Sequence, residues 1–230
     1  LRVFGVLQRI ALAYLLGEAW LGPHRFHVDR RVIVPRSFIA ELLPRGLRAW
    51  LPRRPVRRVL DLCTGSGCLA ILTALAWPDA QVDAVDLSAG ALAVAKRNVA
   101  DYRLRDRVRL VRSDLFSALD EVRYDVILSN PPYVDAPSMR RLPAEYRHEP
   151  ELALAGGRDG LDLVHRMLAQ APERLAARGV LVVEIGHNRA ALERAYPRMP
   201  FVWLETSAGD GFVLLLRGGD LTKENGIGFA

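Results

Sequence analysis

The segment Ser129-Asn130-Pro131-Pro132-Tyr133-Val134 follows "YDVIL", a run apolar enough to be a fully buried strand. Two consecutive prolines fix φ twice, remove two N–H donors and restrict Asn130 as well, so the strand ends in a rigid, extended piece of backbone. An ordinary turn uses Gly, Asp or Asn with one proline at most. This piece carries acceptors. The side-chain carbonyl of Asn130 and the main-chain carbonyl of Pro131 can each take one N–H of a planar –NH2 group, and Tyr133 can stack on the flat π-system behind it. The nitrogen of such a group is a poor nucleophile, because its lone pair is delocalised. Holding both N–H bonds aims it at an electrophile and favours the geometry in which the lone pair is available. Positioning is then the main catalytic term, with about 7–11 kcal/mol as its upper scale. No ordinary general base is needed, since the product nitrogen can lose its proton after the transfer.

Other strand ends carry polar residues too. "DLCTGSG", Asp61 to Gly67, closes one strand and opens a helix. Gly65 and Gly67 allow a tight turn and close approach of a ligand to the peptide groups. No G-x-G-x-x-G can be drawn here, which separates the turn from the dinucleotide fingerprint. "AVDLS" ends the next strand with Asp86, about 20 residues past the glycines, where an acid can accept from both ribose hydroxyls. Ser88 stands ready to cap the following helix, which leaves Asp86 free for that role. "RSDLF" places Asp114 where it borders an adenine or caps the next segment. An adenosyl ligand with an acidic ribose anchor and no phosphate fingerprint points to S-adenosylmethionine. Beside it, N-P-P-Y marks methyl transfer to an exocyclic or amide nitrogen.

The elements that must position these residues follow from periodicity. Helical spacing runs to about Gly17, a Gly-Pro turn in "EAWLGPHRFHVDRRVIVPR" suggests a hairpin, and "SFIAELLPRGLRAWL" reads as a helix. From Val56 strands and helices alternate: "RRVLDLC", "GCLAILTALAW", "AQVDAVDLS", "GALAVAKRNVA", "RVRLVRSD", "YDVILSN", "DGLDLVHRMLAQAPERLAA", "GVLVVEIG", "RAALERAY", "FVWLE" and "GFVLLLR". Continuous apolar strands alternating with helices predict an α/β fold with a sheet covered on both faces and ligands at the strands' carboxyl ends. The tail "GGDLTKENGIGFA" reads as disordered.

The whole chain, 230 residues and half apolar, suits one sizeable domain with a small appendage, and no run approaches the roughly 20 apolar residues that cross a bilayer. Cys63 and Cys68 form no recognised metal pattern and read as a reduced cytosolic pair. The net charge of +6 rests almost wholly on arginine, since Lys96 and Lys223 are the lysines. "LPRRPVRRV", Leu51 to Val59, is either a solvated approach to the first strand or a ribosome- or RNA-facing patch.

The motifs "YLLGEAW", "VPRSFIAEL", "DLCTGSGCLAI", "NPPYV", "HEPELALAGGRDGLDL" and "LVVEIG" occur in the order found in the HemK-like N(5)-glutamine methyltransferases, which the chain resembles from Leu1 to about Arg217. "VPRSFIAEL" and Cys63 resemble the PrmB branch, which acts on a glutamine of large-subunit ribosomal protein three; Phe38 departs from the proline expected there. The resemblance implies a class I S-adenosylmethionine-dependent methyltransferase, a Rossmann-like seven-stranded sheet with its last strand antiparallel. It implies cofactor contacts from Asp61, Cys63, Thr64, Gly65, Gly67, Asp86, Asp114, Leu115 and Asn130. Asn130, Pro131, Pro132 and Tyr133 would hold the glutamine, with Asn130, Pro131 and Tyr133 catalytic. Residues 1–36 would be the end of an N-terminal helical domain plus its hairpin linker, 37–217 the catalytic domain and 218–230 a tail. Because the chain opens at Leu1 inside a helical pattern, most of that N-terminal domain is expected to lie outside it. The partners implied are a ribosomal protein and, through the arginines, ribosomal RNA; the place is the cytoplasm, with no membrane contact. Three readings stay open: the release-factor branch of the same family, an adenine-N(6) methyltransferase of DNA or RNA that shares N-P-P-Y, and a nucleotide-binding module without activity.

Overall fold

A computed structural model describes residues 12–43, 45–51, 53–143, 146–222 and 224–226, with the side chain of Arg147 left aside. The helical pattern expected before residue 12 lies outside the described residues. Its last part is α1, Leu12–Leu16, followed by β1, Glu18–Leu21, and β2, His24–His27. These strands pair antiparallel across the Gly22-Pro23 turn, Glu18 opposite His27, as the Gly-Pro signal predicts. The Tyr14 hydroxyl of α1 donates to the Val32 carbonyl at 2.5 Å.

The helix expected over "SFIAELLPRGLRAWL" is shorter than its pattern. α2 spans Ile39–Leu42, and Leu43 is already extended at φ −86°, ψ 133°. Leu43 precedes a proline, whose ring disfavours helical geometry in the residue before it. Turns follow, with Leu47 fully buried among them.

Next come β3 (Arg58–Leu62), α3 (Cys68–Ala76), β4 (Gln81–Asp86), α4 (Ala89–Asp101), β5 (Val108–Arg112) and β6 (Tyr124–Ser129). The chain ends through α5 (Ala136–Met139), α6 (Asp162–Arg174), β7 (Leu175–Glu184), α7 (Arg189–Ala195), β8 (Val202–Thr206) and β9 (Gly209–Arg217). The strand order is β5-β4-β3-β6-β7-β9-β8. The pairs from β5 to β7 are parallel, while β9 runs antiparallel to both β7 and β8, so the last strand is indeed the reversed one.

Alternation along each strand builds a core on both faces. Val59, Val126, Leu128, Val180 and Val182 pack toward α3 and α4. Leu60, Ile127, Leu181 and Val183 pack toward α6, whose Val164, Met167 and Leu168 are fully buried. A strand buried on two faces carries an unbroken apolar run, which is why β6 and β7 were legible. β7 nonetheless starts four residues before "GVLVVEIG", because α6 stops two residues past Pro172 and the chain pairs at once, Leu175 opposite Tyr124.

The start of the tail is ordered, contrary to its composition. Gly218–Asp220 form a 3-10 turn, Asp220 accepts from Arg217 N at 3.0 Å, and Leu221 is buried at 3 % exposure. One well-placed leucine outweighs a polar, glycine-rich context.

Candidate active site

Strand order turns back on itself between β3 and β6, and the register holds their carboxyl ends level: Leu62 faces Val85 on one side and Ser129 on the other. The Ser129 hydroxyl donates to the Leu62 carbonyl at 2.9 Å, tying the two ends together. Such a switch point leaves an opening between loops that diverge to opposite faces. A cavity of about 450 Å³ occupies it, in the range of small-ligand sites.

The turn after β3 forms its floor. Asp61 is fully buried, and its Oδ2 accepts from the Thr64 hydroxyl at 2.5 Å and from Ala70 N at 3.0 Å. Burial pushes its carboxyl up to about 7. Asp61, Thr64 and Gly67 shape the turn and do not line the cavity. Gly67, at φ +80°, lies where a Cβ would meet that of Ala95 at 3.1 Å, so it lets α4 come close. Gly65 and Cys63 do line the cavity. Gly65 has φ +56° and open space where a side chain would go, so its peptide is approachable. Cys63 adopts φ +59°, a left-handed conformation that a side chain tolerates poorly. Cys63 and Cys68 are both free thiols.

The wall comes from β4 and β5. Asp86 Oδ2 accepts from Gly65 N at 2.9 Å and Oδ1 from Ser88 N at 2.8 Å. Burial raises its carboxyl above the usual range. Ser88 caps α4, accepting from Ala91 N, as the sequence suggests. Asp114 and Leu115 line the cavity, with Leu115 at φ +49°. The Asp114 carboxylate pairs with Arg166 at 2.8 Å and caps nothing; Ser113 accepts from Ala118 N in its place.

Asn130 and Pro132 stand at the mouth beyond β6, while Pro131 and Tyr133 do not line the cavity. The Asn130 amide donates from Nδ2 to the Arg36 carbonyl at 3.1 Å, and among the described residues no donor reaches its Oδ1. Tyr133 packs its ring on Gly186 and donates its hydroxyl to Glu184 Oε1 at 3.4 Å. Its ring therefore rests on the turn after β7.

The resemblance points to "HEPELAL", His148 to Leu154, as shaping the substrate side, and Pro150, Leu152 and Ala153 of it do line the cavity; the linker and Leu87 are not singled out. Arg31, Val32 and Ile33 of the linker, Leu87 and Gly156 also line the cavity. Glu184 ends β7 and is 1 % exposed, accepting from Ser37 Oγ at 2.7 Å and Phe38 N at 2.9 Å. Burial raises its carboxyl as well. Arg36 forms a two-pronged pair with Glu149, Nη1 to Oε1 at 2.6 Å and Nη2 to Oε2 at 2.5 Å. "VPRS", "HEPE" and "VVEIG" were visible as motifs, but their partners lie more than a hundred residues apart and no local spacing reveals them.

These residues suit an adenosyl ligand carrying a cationic methionine end. The Gly65 position leaves open space beside the cavity, and Asp86, which lines it, has lone pairs to spare. No group of three metal-ligating side chains occurs among the described residues. No helix there is long and apolar enough to cross a membrane.

Residues 44–142 match the family model of the methyltransferase small domain. The chain is 62 % identical over 213 residues to a ribosomal protein uL3 glutamine methyltransferase of Bordetella pertussis, spanning 92 % of this chain and 71 % of that one. It is 57 % identical to that of Burkholderia pseudomallei, spanning 93 % and 72 %. Among solved structures, a ribosomal protein L11 methylase from Lactobacillus delbrueckii subsp. bulgaricus superposes with a TM-score of 0.57 at 20 % identity, over 83 % of each chain. The METTL16 methyltransferase domain gives 0.59 at 18 %, over 83 % of this chain and 86 % of that. At such identities these two share the fold.

Proposed function

The chain belongs to the ribosomal protein uL3 glutamine methyltransferases, and we propose that it methylates the side-chain amide nitrogen N(5) of a glutamine in large-subunit ribosomal protein uL3. The methyl donor of the family, S-adenosylmethionine, supplies when bound a methyl group activated on a positively charged sulfur. On this reading Asp86 and the Gly65 peptide take the ribose, Asp114 and Leu115 border the adenine, and Cys63 closes the floor. Asp61, Thr64 and Gly67 keep the turn in shape beneath it. The linker residues before position 37 complete the catalytic unit that the sequence places at 37–217, with residues 218–230 as its tail.

Asn130 carries the reading. One Nδ2 N–H of Asn130 is given to the Arg36 carbonyl, which leaves Oδ1 without a donor among the described residues and able to accept a substrate N–H. The Pro131 carbonyl takes the second N–H of the glutamine amide, and the two prolines keep these acceptors at fixed separation. The amide nitrogen then presents its lone pair to the methyl carbon. As the N–C bond forms the C–S bond breaks, its electron pair going to sulfur as a neutral thioether, and the nitrogen afterwards releases one of its protons to water. Pro132 stands beside Asn130 at the mouth, and Tyr133, bonded to the Glu184 carboxylate, stiffens the loop.

The substrate sets the place of action as the cytoplasm, where ribosomal proteins are made. We assign the contact with ribosomal RNA to the exposed arginines at positions 45, 48, 53, 54, 57 and 58.

The test uses labelled methyl donor with unmethylated large subunits, free uL3 and a peptide release factor as acceptors, and the methyl is located by peptide mass spectrometry and by RNA digestion. Label on a uL3 glutamine is expected; label on adenine, or on a release factor alone, overturns the reading. The Asn130→Ala variant is expected to bind S-adenosylmethionine as the parent does and to lose transfer by at least about 100-fold. Parental turnover in that variant overturns the amide-holding role.

A further inference from the structure

The amide of Asn130 can be seated either way round, and nothing in its own loop chooses. Its Nδ2 bonds to the main-chain carbonyl of Arg36, 94 residues away in sequence. That carbonyl sits in a stretch fixed from both sides. On one side Glu149, 3 % exposed at its side chain, accepts from Val34 N at 3.2 Å and grips the Arg36 guanidinium with both oxygens. The guanidinium also lies over the Tyr146 ring, 5.0 Å from its centre. On the other side Glu184 accepts from Ser37 Oγ and Phe38 N. Four of the five residues from Val34 to Phe38 are thus bonded to two buried carboxylates. A two-pronged arginine–carboxylate pair fixes direction as well as distance.

Resting on the amide-holding role of Asn130, we infer that Glu149 and Arg36 are positioning residues for methyl transfer: they hold the Arg36 carbonyl where it keeps the Asn130 oxygen turned to the substrate. Glu184 supports the same stretch and, through the Tyr133 hydroxyl, the N-P-P-Y loop. Glu149 also precedes Pro150, Leu152 and Ala153, which line the cavity, so the latch joins the cavity rim to the linker. Neither carboxylate lines the cavity. Their effect reaches the reaction through one peptide carbonyl and one amide.

The experiment compares Glu149→Gln, Arg36→Lys and Arg36→Gln with the parent protein on free uL3. Each is built alone and on Asn130→Ala, and the slow variants are followed by single turnover with enzyme in excess. Expected are unchanged affinity for S-adenosylmethionine by calorimetry and a kcat lowered about 10- to 100-fold by Glu149→Gln and Arg36→Gln. Arg36→Lys, which keeps the charge and loses the fork, falls between these and the parent. On the Asn130→Ala background the same changes cost nothing further, because the amide they orient is gone. A purely structural role predicts instead multiplicative losses on both backgrounds, together with weakened cofactor binding, and that result overturns the inference. So does parental kcat in Glu149→Gln and Arg36→Gln while Asn130→Ala is inactive. If Asn130→Ala itself turns over normally, the amide-holding role fails and the latch fails with it.

Discussion

Asp61 has one carboxylate oxygen with two donors and one with none among the described residues. Its carboxyl, pushed up to about 7 by burial, stands above the roughly 3.9 of an unfolded aspartate. Between those values the folded chain keeps a proton that the unfolded chain has released. Stability from this group is therefore full below about pH 4 and falls as pH rises toward 7, by up to about 1.4 kcal/mol per unit. Asp61→Asn is neutral throughout and lacks that slope, so urea unfolding of both proteins at about pH 5 and about pH 7.5 measures it. Parallel curves would mean that Asp61 is ionised in the fold across that window. A second residue-scale prediction concerns Gly65. Alanine there holds φ +56° at a cost of about 1–2 kcal/mol and puts a methyl at the cavity wall. S-adenosylmethionine affinity by calorimetry is expected to drop about tenfold or more, with a melting point only modestly lower. An unchanged affinity would move the ligand away from that peptide. At this scale most of the site could be read from sequence, since Asp86, Asp114, Gly65 and Asn130 announce themselves by ending apolar strands. Tyr133 shows the limit. Its type suggested stacking on the substrate, but the Gly186 surface on which its ring rests comes from 53 positions downstream and no local spacing reveals it.

Elements were legible where burial on two faces left an unbroken apolar run, as in β6 and β7, and less so where a short motif was asked to propagate. α2 stops at Leu42 because the following proline restrains Leu43, and helical spacing in the next ten residues has no backbone to express it. The approach to β3 is held instead by one side chain of β6. Asp125, 5 % exposed, accepts from Arg57 N at 2.8 Å and Arg58 N at 3.1 Å and also pairs with Arg54. Asp125→Ala strands two peptide N–H groups and is expected to cost about 1–3 kcal/mol in chemical denaturation. Arg54→Ala removes only a half-exposed partner and is expected to cost under about 1 kcal/mol. Equal losses in the two variants would place the stabilisation in the ion pair and not in the capped backbone.

Over the whole molecule the exposed arginines before β3 stand apart from the cavity. The catalytic loops lie at the carboxyl ends of the parallel strands, whereas Arg57 and Arg58 stand at the amino end of β3, across the sheet from the cavity. Arg54 and Arg57 have acidic partners in Asp125 and Asp79, so part of the excess is already neutralised within the fold. Composition told the sign of the charge but could not place it, because only the sheet decides which strand ends share a side. Replacing Arg45, Arg48 and Arg53 with glutamine is expected to leave methylation of free uL3 unchanged. The same change should flatten the salt dependence of binding to large-subunit particles by about 0.7–0.9 in logarithmic slope for each phosphate left unneutralised. An unaltered slope would leave these arginines as a solvated face.

The acceptor that seats Asn130 belongs to the peptide of residue 36, and every amino acid brings that oxygen with it. Point mutation at this position can displace the acceptor without erasing it, so on the proposed role of Asn130 variation at residue 36 is expected to grade activity where variation at Asn130 is expected to abolish it. The chemistry is in this sense written into the main chain, with two acidic side chains setting its aim. An engineer wishing to offer the enzyme an amide of different reach has a dial in those acids that leaves the reacting groups untouched.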